Sequence, residues 1–323
     1  MAKVRIAIAA GALADPTWAT DIAEKYNFEV VFGPVESVSE LVATATGAAS
    51  VVVALHKMTE EKISQMPESV KCISRLGVGL DSIDLLAAEK YKLPVIFQPT
   101  YAYNEVANHA AAMALALHRG IFQATVTTQS GKWIPATQIA EITSLQDSTL
   151  GVIGCGRIGQ AFIKKMQPFV KDIIAFDPVV TDTFPGVTMV KELDELLIKC
   201  KIISMHAPYS PATHHLIGKR ELALMQKGSI LVNVSRGGLI DENALMEALE
   251  SGHLDGAGLD VFEKEPLAED APIRKTKNLL LSPHIAWYSK SSGPRLVEWG
   301  LMDAVNFITN QSISNGKFAA GPF

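Results

Sequence analysis

Thr149-Leu-Gly-Val-Ile-Gly-Cys-Gly-Arg-Ile-Gly-Gln160 is followed by Ile173-Ile-Ala-Phe-Asp177-Pro178. An apolar strand runs into Gly154-Cys155-Gly156-Arg157-Ile158-Gly159, a helix follows, and an acid closes the next strand. In that order these elements form a dinucleotide-binding fingerprint. The glycines Gly154, Gly156 and Gly159 allow a tight turn and close approach of the backbone to a pyrophosphate. Arg157 and Ile158 open the helix, whose N-terminus offers free N–H groups and a positive dipole end. Asp177 is placed to accept from an adenosine ribose. Its charge would repel a 2′-phosphate, so NAD(H) is expected over NADP(H). The next residues, Pro178-Val179-Val180-Thr181-Asp182, supply no compensating cation and add a second acid; Arg157 is the one cation nearby. The plainer alternatives are a glycine corner packed for tightness and a turn-starting Asp before proline.

Outward from this loop the chain alternates strands and helices on both sides. In the first hundred residues the pattern predicts strands at 4–9, 28–32, 50–54, 71–74 and 95–97, with helices at 16–26, 37–46, 59–65 and 82–90. After residue 150 it predicts strands at 150–153, 173–176, 202–206, 230–234, 257–259 and 279–281. The fold class expected is α/β, with two doubly wound parallel sheets, flavodoxin-like first and Rossmann second. The alanine-rich helix 104–119 is apolar on most faces and is expected to be buried or at an interface. Residues 294–309 read as an amphipathic helix.

With 323 residues, nearly half of them apolar, the chain can build a sizeable core. Its net charge of −5 argues against a nucleic-acid footprint. Cys72, Cys155 and Cys200 form no CxxC or Cys/His spacing, so no metal is expected and they read as reduced, buried thiols of a cytoplasmic protein. Lys3, Arg5 and Ala12-Leu13-Ala14 faintly imitate a secretory signal, but Val4-Arg5-Ile6-Ala7-Ile8 alternates like a strand. No run approaches the roughly 18 apolar residues of a membrane span.

Three polar residues follow late strands, where open α/β sheets place ligands. They are Arg236 after Leu231-Val-Asn-Val-Ser235, Glu265 after Asp260-Val-Phe-Glu-Lys264, and His284 after Leu281-Ser-Pro283. Singly they read as a surface arginine, a solvated acid and a loop histidine. Together they suit reversible hydride and proton transfer. A guanidinium holds a planar carboxylate bidentately. An imidazolium can protonate a ketone oxygen as hydride arrives, and a carboxylate orients the ring and favours its charged form.

The sequence resembles the NAD-dependent D-2-hydroxyacid dehydrogenase family over almost its full length. The matching stretches are Ile73-Ser-Arg-Leu-Gly-Val-Gly-Leu-Asp-Ser-Ile-Asp84, Val152–Gly159, Met205-His-Ala-Pro208, Leu231-Val-Asn-Val-Ser-Arg-Gly-Gly-Leu-Ile-Asp241, Gly258-Leu-Asp-Val-Phe-Glu-Lys-Glu-Pro266 and Ser282-Pro-His-Ile-Ala-Trp287. The resemblance implies that Arg236 grips a substrate carboxylate and that His284 is the acid/base, with Glu265 its partner. It implies a coenzyme site that includes Asp260 toward the nicotinamide carboxamide, His206, Ala207 and Pro208 on the adenosine side, Thr213 near the pyrophosphate, and Val234 and Ser235. Leu76, Gly77, Val78 and Gly79 would turn backbone N–H groups to the substrate carboxylate.

The resemblance further implies a discontinuous substrate domain, 1–102 plus 289–323, and a coenzyme domain, 103–288, with the active site in the cleft and a homodimer through the coenzyme domain. The partner is a small 2-oxo or 2-hydroxy acid, with glyoxylate, hydroxypyruvate, pyruvate-like and phenylpyruvate-like acids all open. Tyr101 and Trp287 are candidate pocket aromatics, with ordinary hinge packing as the alternative. Two departures stand out: Asn108 where members carry an acid before His109, and Asp147-Ser148-Thr149 where Gly-Lys is usual. No appended regulatory domain is expected. A dinucleotide-sensing corepressor on the same fold is the second reading, since some share the pattern His284-Ile-Ala-Trp-Tyr288.

Overall fold

The computed structural model describes residues 3–138, 142–180 and 184–322. The chain divides into two compact units, Met1–Ala102 with Tyr288–Phe323, and Tyr103–Trp287. In chain order the strands are β1 (Arg5–Ala9), β2 (Glu29–Gly33), β3 (Ser50–Val53), β4 (Cys72–Arg75), β5 (Val95–Phe97), β6 (Thr149–Ile153), β7 (Asp172–Phe176), β8 (Val187–Val190), β9 (Ile202–Met205), β10 (Ser229–Asn233), β11 (Leu254–Leu259), β12 (Leu279–Leu281) and β13 (Lys317–Ala320).

In the first unit β1–β5 are parallel in the flavodoxin-like order 2-1-3-4-5, and β13 adds antiparallel to β5. Ser50-Val-Val-Val53 is buried throughout, as a parallel strand covered on both faces must be. Local chemistry starts the covering helices. Ser37 and Glu40 form a capping box before Val38–Ala45, and the Asp84 carboxylate accepts from Ala87 N at 2.9 Å. That cap moves the helix expected over 82–90 to Leu85–Lys90. Leu41, Val51, Met58, Ile73 and Val95 fill the core on one face of the sheet.

The second unit has the order β12-β11-β10-β9-β6-β7-β8, all parallel. This is the Rossmann arrangement with one further strand. Strand order reverses between β6 and β9, and the glycine loop leaves β6 at that switch point. The helix Tyr103–His118 packs its small residues Ala107, Ala110 and Ala114 against the helix Arg157–Met166 and the sheet, so its alanines serve close packing within the unit. The next helix, Ile121–Gln129, buries no side chain, and Ile121, Val126 and Trp133 are exposed, the last at 93 %.

All three cysteines are buried. Burial pushes the Cys72 and Cys155 thiols up to about 11 and that of Cys200 up to about 12, which keeps them protonated and inert. Among the described residues no helix is long and apolar enough to cross a membrane.

Candidate active site

Arg236, Glu265 and His284 stand beyond the C-terminal ends of three neighbouring strands, β10, β11 and β12. His284 Nδ1 lies 2.6 Å from Glu265 Oε2. The other oxygen of Glu265 accepts from Phe262 N at 2.9 Å, which fixes the carboxylate against its own loop. Burial alone would raise the Glu265 carboxyl. The hydrogen bond and charge of His284, the Phe262 N–H and the Arg236 guanidinium outweigh it and hold the group below the usual carboxylate range. With Nδ1 committed to an anion, Nε2 is the nitrogen left to exchange a proton. Trp287 Nε1 donates to the His284 carbonyl at 3.0 Å.

Arg236 is set by its neighbours. Asn233 Nδ2 donates to the Arg236 carbonyl at 2.8 Å, Ser235 N donates to Asn233 Oδ1 at 3.0 Å, and Arg236 Nη1 donates to Ser235 O at 2.8 Å. The next residue must be glycine, because a Cβ on Gly237 would fall 1.8 Å from the Phe262 carbonyl carbon. The loop carrying Arg236 therefore lies directly on the loop carrying Glu265.

After β6, in the interior of the same sheet, Gly154 has φ +94°, and a Cβ there would meet His206 backbone at 2.6 Å. Gly156 differs: nothing lies within 4 Å of where its Cβ would be. Packing inside the protein gives no reason for that glycine, whereas close approach by an external group does. It is the N-cap of Arg157–Met166, a helix with no side-chain cap and no acid in its first turn. Open space above uncapped N–H groups fits a dinucleotide pyrophosphate. Arg157 is exposed there and Ile158 half-buried beneath.

Comparison with known proteins supplies the family. The family described as "D-isomer specific 2-hydroxyacid dehydrogenase, NAD binding domain" matches residues 111–286. The glycerate dehydrogenase of Methylorubrum extorquens is 32% identical over 310 residues, 92% of each chain. The chain belongs to the D-2-hydroxyacid dehydrogenase family. The D-3-phosphoglycerate dehydrogenase of Methanocaldococcus jannaschii is 40% identical over 231 residues, 71% of this chain and 43% of that one. This chain thus spans about half the length of the phosphoglycerate dehydrogenases it matches, 43% and 51% for two of them. The structure of D-lactate dehydrogenase with NAD+ from Lactobacillus jensenii superposes with a TM-score of 0.80 at 25% identity, over 97% of this chain and 99% of that one.

Within this dehydrogenase framework several expected site residues turn out to be tied to their own loops. Asp177 Oδ1 accepts from Val179 N at 2.8 Å and Val180 N at 2.9 Å, and Oδ2 accepts from Cys155 N at 2.7 Å. It does start the turn after β7, and it also tethers the glycine loop. Partial burial opposes its charge, but the N–H groups of Val180, Cys155 and Val179 prevail and hold the carboxyl below its ordinary value. Three of about four lone-pair positions are used, leaving one on Oδ2. Thr181 and Asp182 lie outside the described residues.

His206 continues β9 through its N–H to Ile153 O at 2.7 Å; its Nε2 meets Ser204 Oγ at 2.9 Å, and its ring packs on Phe162. Burial pushes the ring down to about 3, so it stays neutral. Ala207 is half-buried and Pro208 exposed at the strand end. Thr213 Oγ1 closes its own turn, taking Ser210 N at 2.8 Å and giving to Pro208 O at 3.0 Å. Val234 is buried, and Ser235 Oγ donates to Met205 O at 2.9 Å.

Asp260 is buried at 1% exposure. Its carboxylate accepts from Ser282 Oγ at 2.5 Å and from Ile285 N and Ala286 N at 2.9 Å each, and its carbonyl accepts from His284 N at 2.7 Å. Its visible work is to hold the His284 loop, with one acceptor position left on Oδ2. Sequence reading missed Ser282 in that role, although it stands in the motif two residues before His284.

In the first unit the expectation for Leu76 is corrected. Its N–H donates to Val53 O at 2.8 Å because the residue still follows the ladder of β4 with β3, and its side chain is buried. The turn proper begins at Gly77, with φ +130° and its carbonyl accepting from Gln98 N at 3.1 Å. Val78 is exposed and Gly79 half-buried. Tyr101 is buried and its carbonyl accepts from Arg295 Nη1 at 2.8 Å. Asn108, the departure in the long helix, is exposed.

Proposed function

We propose that this protein reduces a small 2-oxo acid to the D-2-hydroxy acid with NADH. The observation that carries the reading is the 2.6 Å His284–Glu265 pair beside Arg236, on the sheet edge that also bears the glycine loop. In this reading Tyr103–Trp287 is the coenzyme domain and the other unit the substrate domain. NADH supplies the hydride. Arg236 grips the substrate carboxylate in a two-pronged geometry. His284 Nε2 delivers a proton to the ketone oxygen, and Glu265 keeps the ring oriented through Nδ1. Asp177 serves the ribose through its remaining acceptor position.

Hydroxypyruvate is the favoured substrate, on the strength of the likeness to a glycerate dehydrogenase along 92% of each chain, with glyoxylate kept beside it as a smaller 2-oxo acid. A panel of glyoxylate, hydroxypyruvate, pyruvate and phenylpyruvate with NADH tests this. Turnover of none of them would overturn the reading and leave a coenzyme-binding protein. The cytoplasm is the proposed location, where the buried thiols stay reduced. A homodimer is proposed through the coenzyme domain, with exposed Ile121, Val126 and Trp133 as the contact surface. A monomer by sedimentation would remove that element.

Glu265→Gln should lower kcat for 2-oxo acid reduction by about tenfold, because an amide beside Nδ1 orients the ring less firmly than the carboxylate held there at 2.6 Å. In wild type the Glu265 carboxyl is held below the usual carboxylate range, so it stays ionised and activity should persist toward low pH until that carboxyl takes a proton. An unchanged kcat would reduce Glu265 to a structural acid.

The coenzyme preference rests on Asp177. Wild type should favour NADH over NADPH in kcat/KM, and Asp177→Ala should narrow the ratio. Since the carboxylate also tethers Cys155 N, the variant should lose affinity for both coenzymes, so the ratio is the quantity to measure. A wild-type preference for NADPH, or an unchanged ratio in the variant, would overturn the assignment.

A further inference from the structure

We propose that His109 is a positioning residue for the acid/base histidine, acting through Ser282 and Asp260. The inference rests on the dehydrogenase reading of the His284 site. His109 lies in the long helix Tyr103–His118, and its Nε2 is 2.9 Å from Ser282 Oγ and 3.7 Å from Asp260 Oδ1. Ser282 has a single hydroxyl proton. At 2.5 Å from a carboxylate oxygen that proton is committed to Asp260, in the short range of charge-assisted O–H···O⁻ bonds. Ser282 Oγ is then an acceptor toward His109, which fixes Nε2–H as the donor. The polarity runs one way, from His109 to Ser282 to Asp260.

The far end of this chain is the backbone around the acid/base group. The Asp260 carboxylate takes Ile285 N and Ala286 N, and its carbonyl takes His284 N. His284 sits at φ +55°, in the left-handed region that a side-chain-bearing residue keeps only when its surroundings over-determine it. Those three N–H groups and the Ser282 hydroxyl, all converging on Asp260, supply that constraint. His109 is the donor that sets the Ser282 hydroxyl, and it comes from a different element, so it couples the rigid helix to the His284 loop. His109 is half-buried on this helix, beside the buried Ala107 and Ala110.

His109→Leu fills the space without a donor, and His109→Gln restores an N–H at similar reach. The expected result for His109→Leu is a kcat for 2-oxo acid reduction about tenfold lower, the scale of a small misplacement of a catalytic group. Substrate KM and NADH affinity should stay within about twofold, and His109→Gln should recover most of the rate. Amide hydrogen exchange at Ile285 and Ala286 should quicken in the Leu variant and not in the Gln variant. A packing role alone would lower thermal stability and leave kcat per folded molecule and those two amides unchanged. That outcome, or a Gln variant as impaired as the Leu variant, would overturn the proposal. If wild type turns over no 2-oxo acid, the functional reading has failed by itself, and the exchange measurement still decides whether His109 holds the loop.

Discussion

His284→Ala is expected to lower 2-oxo acid reduction by about two to four orders of magnitude, the range for loss of a positioned general acid. Nδ1 is anchored to Glu265 at 2.6 Å, so the ring presents Nε2 in a defined direction, and the loop beneath is fastened by Asp260 at three successive N–H groups. Removing the ring leaves a developing alkoxide without its proton source while the rest of the sheet edge stands. NADH affinity, measured by fluorescence titration, should change by less than about threefold, since the glycine loop lies at β6 and the ring follows β12. A variant retaining more than a tenth of wild-type kcat would take His284 out of proton transfer.

Arg236→Gln should reduce kcat/KM for the 2-oxo acid by a factor of about 30 to several thousand, corresponding to roughly 2–5 kcal/mol for loss of one partner of a buried, hydrogen-bonded charge pair. The backbone of Arg236 is held independently of its guanidinium by Asn233, and Gly237 is pressed on Phe262, so the loop should survive the change. The guanidinium also helps to keep Glu265 ionised, so the acidic limb of the profile should move upward in the same variant. Arg236→Lys keeps the charge but not the two-pronged geometry and should fall between. Unchanged kcat/KM in Arg236→Gln would remove the residue from substrate binding.

The glycine loop was legible because its constraints are local: a positive φ at Gly154 and a helix starting at Arg157 follow from adjacent residues. The positions of Arg236, Glu265 and His284 were legible for a similar reason, since each closely follows a strand whose apolar run is plain. Less could be read where partners are distant. β13 has no pattern of its own, and the segment before it is set by buried Asp303, which accepts from Ser314 N and Gly316 N. β8 is a half-exposed edge strand without an apolar run. Residue type at a strand end tells that Asp260, Thr213 or Ser235 is polar, but not that each spends its bonds on the protein. For Asp260 the partners are more than twenty residues away, at Ser282, Ile285 and Ala286. The error at Leu76 was one of register: a loop read from four consecutive residues begins one residue later, where the strand ladder ends.

The three backbone bonds at Asp177 set a limit on redesign of coenzyme choice. Replacing the acid with a neutral residue to admit a phosphorylated ribose removes an electrostatic barrier and, in the same stroke, unfastens Cys155 N from the turn at Val179 and Val180. Asparagine is no neutral substitute. Its single oxygen could serve Val179 and Val180, but its amide nitrogen would then confront the N–H of Cys155, donor against donor. Discrimination and loop shape are thus one trait here, and a swap of preference requires a second change that gives Cys155 a new acceptor.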